Sequence, residues 1–354
     1  MRSCVDSIFV PGLEVRELTP ADTPLWERYV AESPKATFYH RIEWKKIIEK
    51  SFAHRTYYLM AFEGGGVVGI LPIVHIRSLL FGSIFCSMPF LNFAGVCGDR
   101  EDVERALITH AQLILRRSNG DYLELRHLEK SPLDILAKSH KVSMTLELDP
   151  DPEVLWKRFS SKHRTTIRRA AKNGLRIKKG NTDLVGEFYE VMCRGWSDLG
   201  TPLYNISFFC NILEAMGDSI EIYIVTYQER AIAAAFNGLF KGTVEGMWLS
   251  SLPEYSRLQP GYFLYWEMIR QACDAGFKEY HLGRSSVESG GEIFKKKWNA
   301  VPKQLYWEYI LNRSTEVPEL NVQNPRYQMA IRLWRRLPIP VTKVLGPVLA
   351  KNIP

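Results

Sequence analysis

IEIYIVTYQERAIAAAFNGLFKGTVEGMWLSS, Ile220 to Ser251, holds two apolar runs of strand length, Ile220–Tyr227 and Ala231–Phe240, parted by the polar turn Gln228 to Arg230. That pattern predicts a hairpin, and Gly242 then opens a third strand ending at Ser251. Downstream the period changes. Phe263, Trp266, Ile269, Ala272 and Cys273 recur at helical spacing within Tyr262–Ala275, Gly276 stops the helix, and FKEYHLG (Phe277 to Gly283) returns to strand. A helix crossing between two strands leaves them parallel, whereas a hairpin is antiparallel, so the sheet is expected to be mixed.

The first half repeats this order. YYLMAF (Tyr57–Phe62), a turn at Gly64 to Gly66 and VVGILPIVHIRS (Val67–Ser78) read as a hairpin; a helix over Asp102–Arg117 is stopped by Asn119 and Gly120, and the strand DYLELRHL follows. EGGGVVG (Glu63–Gly69) separates two strands and opens no helix, so it is a turn and not a phosphate loop. The expectation is an α/β protein of two similar domains, residues 1–145 and 146–312, followed by a basic amphipathic tail, 313–354. The first boundary falls within Ser139–Pro152, where Pro152 and Glu153 open a helix.

A chain of 354 residues, 46% hydrophobic, has enough apolar mass for two cores. Its 46 Lys and Arg against 39 Asp and Glu favour an anionic partner, and their placement says more than the total. Ten basic residues and no acid lie between Lys157 and Lys179, and no acid follows Glu319. The six cysteines form no CxxC pair, none of the eight histidines has metal-ligand spacing, and there is no Walker loop, dinucleotide fingerprint or nucleophile elbow. Met1–Gly12 is interrupted by Asp6 and lacks a signal-like core, and no apolar run reaches membrane-spanning length. A cytoplasmic protein is expected, at most peripheral at the inner face of the membrane.

Residues 280–309, YHLGRSSVESGGEIFKKKWNAVPKQLYWEY, join a strand end to a glycine-rich loop, three lysines and another strand. Phe294 and Trp298 bracket Lys295, Lys296 and Lys297, as in a helical turn anchored by its apolar face with a lysine projecting from it. The alternative is a solvated basic turn. This segment, with Ser160–Ile177 (SSKHRTTIRRAAKNGLRI) and Gln259–Gly283 upstream in the same order, resembles the FemAB family of aminoacyl transferases. It is most similar to the FemAB-related proteins associated with the exosortase and PEP-CTERM system, which share a basic Pro-containing tail. The resemblance implies two tandem GNAT-like domains without a long coiled-coil insertion, a donor that is an aminoacyl-tRNA, an acceptor amine on a lipid-linked or other envelope precursor, and no bound cofactor. It assigns Lys295 to the neutralisation of charge at the reacting ester, with Phe294 packed beside it and Lys297 and Arg284 assisting.

The remaining candidates each carry a structural alternative. Asn237, Trp248, Tyr255 and His281 are potential substrate contacts, although a satisfied core amide explains Asn237 equally well and His281 reads more readily as a packed histidine than as a base. Gly261 follows Pro260 where a GNAT enzyme cradles the pyrophosphate of coenzyme A; the missing glycine spacing and the donor removed by Pro260 argue against that cofactor. A helix over Glu153–Asn173 presents Lys162, Arg164, Arg168 and Arg169 to a polyanion, whether transfer RNA, a lipid-linked pyrophosphate or an anionic membrane. The tail, with Trp334 among its arginines, either lies on an anionic membrane or docks on its own domain.

Overall fold

The computed structural model describes residues 12–78, 81–317 and 325–353; the interrupted apolar patch read in the first eleven residues lies outside them. The chain divides into two compact units: residues 1–141, 304–318 and 352–354, and residues 142–303 with 319–351. Its elements run β1 (Leu13–Glu17), α1 (Thr23–Glu32), α2 (Glu43–Phe52), β2 (Arg55–Glu63), β3 (Gly66–Ser78), β4 (Gly82–Cys86), β5 (Cys97–Gly98), α3 (Glu101–Arg117), β6 (Tyr122–His127) and β7 (Leu136–Glu147). Then follow α4 (Pro152–Arg158), α5 (Ser161–Ala171), β8 (Arg176–Gly180), α6 (Val185–Leu199), α7 (Ile206–Met216), β9 (Ile220–Tyr227), β10 (Arg230–Phe240), β11 (Thr243–Ser251), α8 (Pro260–Asp274), β12 (Glu279–Ser286), α9 (Gly290–Lys296), β13 (Val301–Leu311), α10 (Pro325–Trp334) and α11 (Ile339–Ala350).

In the first unit the strand order is β1-β2-β3-β4-β6-β13, and in the second β8-β9-β10-β11-β12-β7. Each begins with antiparallel neighbours and turns parallel at its helical crossover, β4 with β6 around α3 and β11 with β12 around α8. The duplication read from the sequence is therefore present in strand order, direction and crossover. Both hairpins turn on two residues with positive φ: Gly64 and Gly65 between β2 and β3, Gln228 and Glu229 between β9 and β10. Their cores are separate, Leu59, Leu71, Phe85, Leu107 and Leu123 in one, Val225, Ala233, Leu264, Tyr280 and Trp298 in the other.

Two expectations differ from this structure. The second unit does not extend to residue 312, because residues 304–311 of β13 pair with β6 and complete the first unit, while the tail from 319 to 351 belongs to the second. The basic helix is also not continuous. Ser160 caps α5, its hydroxyl accepting from His163 N at 3.3 Å, and Phe159 and Ser160 are extended.

Candidate active site

The parallel ladder between β11 and β12 covers only Thr243↔Glu279, Val244↔Tyr280 and Glu245↔His281, although β11 continues to Ser251 and β12 to Ser286. Just past its last pair the two backbones touch. A Cβ on Gly283, whose φ is +80°, would sit 2.8 Å from Gly246 O, and one on Gly246 would sit 2.9 Å from His281 O. Glycine is required at both positions because only a bare backbone fits this approach.

Lys295 reaches the same place from α9. Its Nζ donates to Gly283 O at 2.9 Å and Arg284 O at 3.1 Å, the residue is 9% exposed, and among the described residues no carboxylate pairs with it. Burial, reinforced by the neighbouring Arg284 charge, lowers the ammonium pKa from its ordinary 10.5 to about 7. The other two lysines of the triplet are directed elsewhere. Lys296 forms an i,i+4 ion pair with Glu292 at 2.7 Å, and Lys297 donates to Tyr262 Oη at 3.3 Å and lies over the Phe294 ring. Ser289 caps the helix by accepting from Glu292 N.

The turn that carries Lys295 is fixed from behind by rings. Phe294 meets Tyr262 and Tyr265 edge-on, with centroids 5.1 and 5.2 Å apart, and Trp298 stacks on Tyr265 at 5.5 Å. His163 of α5 packs edge-on against Trp298 at 4.4 Å; burial, helped by the Lys297 charge, depresses its pKa to about 4, so it is neutral at physiological pH. α5, α8 and α9 thus form one aromatic block. His163 lies in the stretch singled out for its charge, and its signal in the sequence was its place on the stripe His163, Ile167, Ala170, all buried.

His281 stands at the ladder end with Nδ1 2.8 Å from Glu245 Oε1 and Nε2 3.6 Å from Glu279 Oε2. Burial opposes its charge, but the two carboxylates outweigh that penalty and raise the pKa to about 10. An imidazolium so held is a fixed cation and not a proton acceptor at neutral pH.

The other candidates do not gather around Lys295. Asn237 is 1% exposed, with Nδ2 3.4 Å from Met268 Sδ beneath α8. Trp248 lies on the opposite face of the sheet, because the register slips between Phe236↔Trp248 and Asn237↔Gly246 and so reverses the side to which it points. There it packs with Phe208, Phe209 and Phe236 as an aromatic core residue. Tyr255 Oη accepts from Arg230. Gly261 stands in the first turn of α8, where Gln259 N bonds Ser256 O, Tyr262 N and Phe263 N bond Gln259 O, and Pro260 has no donor. That helix start has little left for a pyrophosphate.

Of the polyanion candidates, Arg164 is committed to the fold. Its Nη1 donates to Phe159 O at 2.8 Å and Lys157 O at 3.1 Å, closing the end of α4. Arg168 lies over the Trp156 ring, 5.2 Å from its centroid, while Lys162 and Arg169 are exposed.

The corresponding place in the first unit is built differently. Its parallel ladder also has three pairs, ending at Cys86↔Glu124, but beyond it Ser87 N bonds Glu124 O and Ala94 N bonds Arg126 O. A buried Glu124–Arg126 ion pair of 2.7 Å, 1% exposed on both sides, occupies the continuation of β6. The unpaired lysine is a feature of the second unit.

Residues 161–296 match the model of the acetyltransferase (GNAT) domain. No curated protein sequence matches the chain. Among solved structures, FemX is similar over 90% of this chain and 100% of its own, with TM-score 0.62 and 12% identity. L-PGS from Bacillus licheniformis is similar over 91% of this chain and 99% of its own, with TM-score 0.55 and 11% identity. A tandem GNAT protein from the clavulanic acid biosynthesis pathway gives TM-score 0.53 at 13% identity, covering 84% of this chain and 97% of that one. The fold is a mixed α/β tandem-GNAT fold.

Proposed function

We propose that the protein is an N-acyl transferase that moves an aminoacyl group from an aminoacyl-tRNA ester to an amine on a cell-envelope or exopolysaccharide precursor. The observation that carries this reading is Lys295, a buried amine with no carboxylate partner among the described residues, held by two carbonyls where the β11–β12 ladder ends. The motif resemblance supports the aminoacyl donor, the likeness to FemX is one of fold, and the occupied first turn of α8 disfavours coenzyme A.

In this scheme the acceptor nitrogen attacks the ester carbonyl. The C–N bond forms, the C–O bond to the ribose breaks, and the proton leaving the nitrogen ends on the departing ribose oxygen by way of water or a substrate phosphate. Negative charge develops on the carbonyl oxygen and then on the leaving oxygen. Protonated Lys295 is the group that meets it. Phe294 and its ring block hold the lysine in place, Lys297 and Arg284 add positive potential, and His281 supplies a further fixed cation. An arriving anion raises the Lys295 pKa, so binding takes up a proton when it is measured above pH 7.

The test is a donor screen, charged transfer RNA against acyl-coenzyme A, with product followed on model amines. Transfer from the tRNA ester that is lost in Lys295→Ala supports the reading. Equal or better transfer from acyl-coenzyme A identifies an ordinary GNAT donor, and no transfer from either identifies a binding protein. Lys162 and Arg169 are the residues proposed to meet the RNA. Replacing both with Gln is expected to weaken RNA binding and to lower the steepness of its salt dependence, measured by filter binding over a salt series.

A further inference from the structure

Twelve large hydrophobic side chains are exposed among the described residues, and half of them, Met329, Leu333, Val341, Val344, Leu345 and Val348, lie on α10 and α11. The arrangement on α11 is the reverse of an ordinary docked helix. Its buried face is made of the small residues Thr342, Gly346 and Ala350, while Val341, Val344, Leu345 and Val348, at positions i, i+3, i+4 and i+7, face outward with exposures of 38 to 70%. Gly346 lies directly on Leu203, where a Cβ would come within 2.9 Å of its carbonyl oxygen, and Lys343 ties the helix to Glu190. Trp334, 7% exposed, and Ile331 against Gly200 anchor α10. α11 is thus attached through its smallest side chains, α10 through Trp334 and Ile331, and the pair presents large aliphatic side chains to the outside.

We propose that this outer face is a membrane-docking surface that lies on anionic lipid headgroups with the aliphatic side chains inserted at the acyl boundary. Charge chooses the occupant. Arg332, Arg335 and Arg336 are exposed beside the aliphatic face, and the sequence from 320 to 354 contains no acidic residue. A second copy docked by two-fold symmetry would bring these arginines against their own equivalents with no carboxylate from either tail to offset them. An anionic bilayer supplies the missing charge, and amphipathic helices of this composition bind in the plane of the interface. No described helix is long and apolar enough to span a membrane, so the contact is superficial. The inference is independent of the transfer chemistry.

Flotation of the full chain with vesicles of phosphatidylcholine alone, or of phosphatidylcholine with about 30% phosphatidylglycerol, tests it. Binding is expected to be at least about tenfold stronger on the anionic vesicles and to weaken with salt. Val344→Asp/Leu345→Asp removes the apolar insertion and Arg332→Glu/Arg336→Glu the charge, and each is expected to lower binding about tenfold or more with an unchanged thermal midpoint. Equal binding to neutral and anionic vesicles overturns the proposal. So does a wild-type protein that ignores both vesicles but sediments as a dimer separated by Val344→Asp/Leu345→Asp, which would make the face a contact between copies.

Discussion

At the scale of single residues, the three lysines of the triplet have three different environments, and their replacements should separate. Lys295→Ala is expected to lower kcat by roughly 10²-fold or more without unfolding the protein, and Lys296→Ala to have a far smaller effect because it ends only an ion pair with Glu292. Steady-state kinetics on both variants check this. The pH dependence has a definite sign. If the protonated amine is the active form, kcat/KM falls as pH rises through about 7, and Lys295→Arg, which stays charged, removes that limb. Stability runs the other way. Between pH 7 and the ordinary 10.5 the unfolded state holds the proton that the folded state has lost, so stability rises with pH there and is lowest below pH 7. Lys295→Met should therefore raise the thermal midpoint at pH 6, by up to about 5 kcal/mol in stability, with the gain shrinking as pH approaches 10.5. The motif singled out Lys295 in the sequence, but its burial was not legible: which lysine turns inward depends on Glu292 holding Lys296 and on rings brought from α8. For His281 the sequence favoured a packed histidine over a base, and Glu245 across the ladder is the reason it serves as neither a neutral core group nor a base.

At the scale of elements, local punctuation decided more than periodicity. The strands flanking each hairpin were readable from their apolar runs, yet the second turn places Gln228 and Glu229 at φ of 49° and 63° without glycine. Such turns favour Asn-Gly, so Gln228→Asn/Glu229→Gly is expected to stabilise by roughly 1 kcal/mol, the exposed Arg176–Glu229 pair contributing little in return. Denaturant midpoints measure it. The break between α4 and α5 went unread because the basic residues run across it without interruption. Its signals were Ser160, three residues ahead of His163, and Arg164, whose reach back to the α4 carbonyls depends on tertiary geometry. Arg164→Ala should destabilise by roughly 1 to 2 kcal/mol, while exposed Arg169→Ala stays within about 0.5 kcal/mol of wild type, and urea melts of the pair distinguish structural from surface charge.

At the scale of the whole molecule, the duplicated order of strands and helix was legible because each half repeats the same switch from period two to period 3.6. The ownership of the last strand was not, since LYWEY reads as the natural end of the unit before it and its pairing with β6 is set by contacts far away in sequence. Glu308 illustrates this: wholly buried on β13, it accepts from Ser131 N at 3.2 Å and lies 2.7 Å from His127 Nδ1. Glu308→Ala leaves both groups buried without that carboxylate and is expected to cost about 3 kcal/mol, read from denaturant unfolding. The origin of that strand also orders events on the ribosome. With residues 1–141 already synthesised, the first unit must wait for residues 304–311, a delay of roughly ten to thirty seconds at ordinary elongation rates, with the edge of β6 unpaired throughout. The half that is translated first thus keeps an open sheet edge while most of the second half is being made, and during that interval it is the part of the nascent chain most in need of a chaperone.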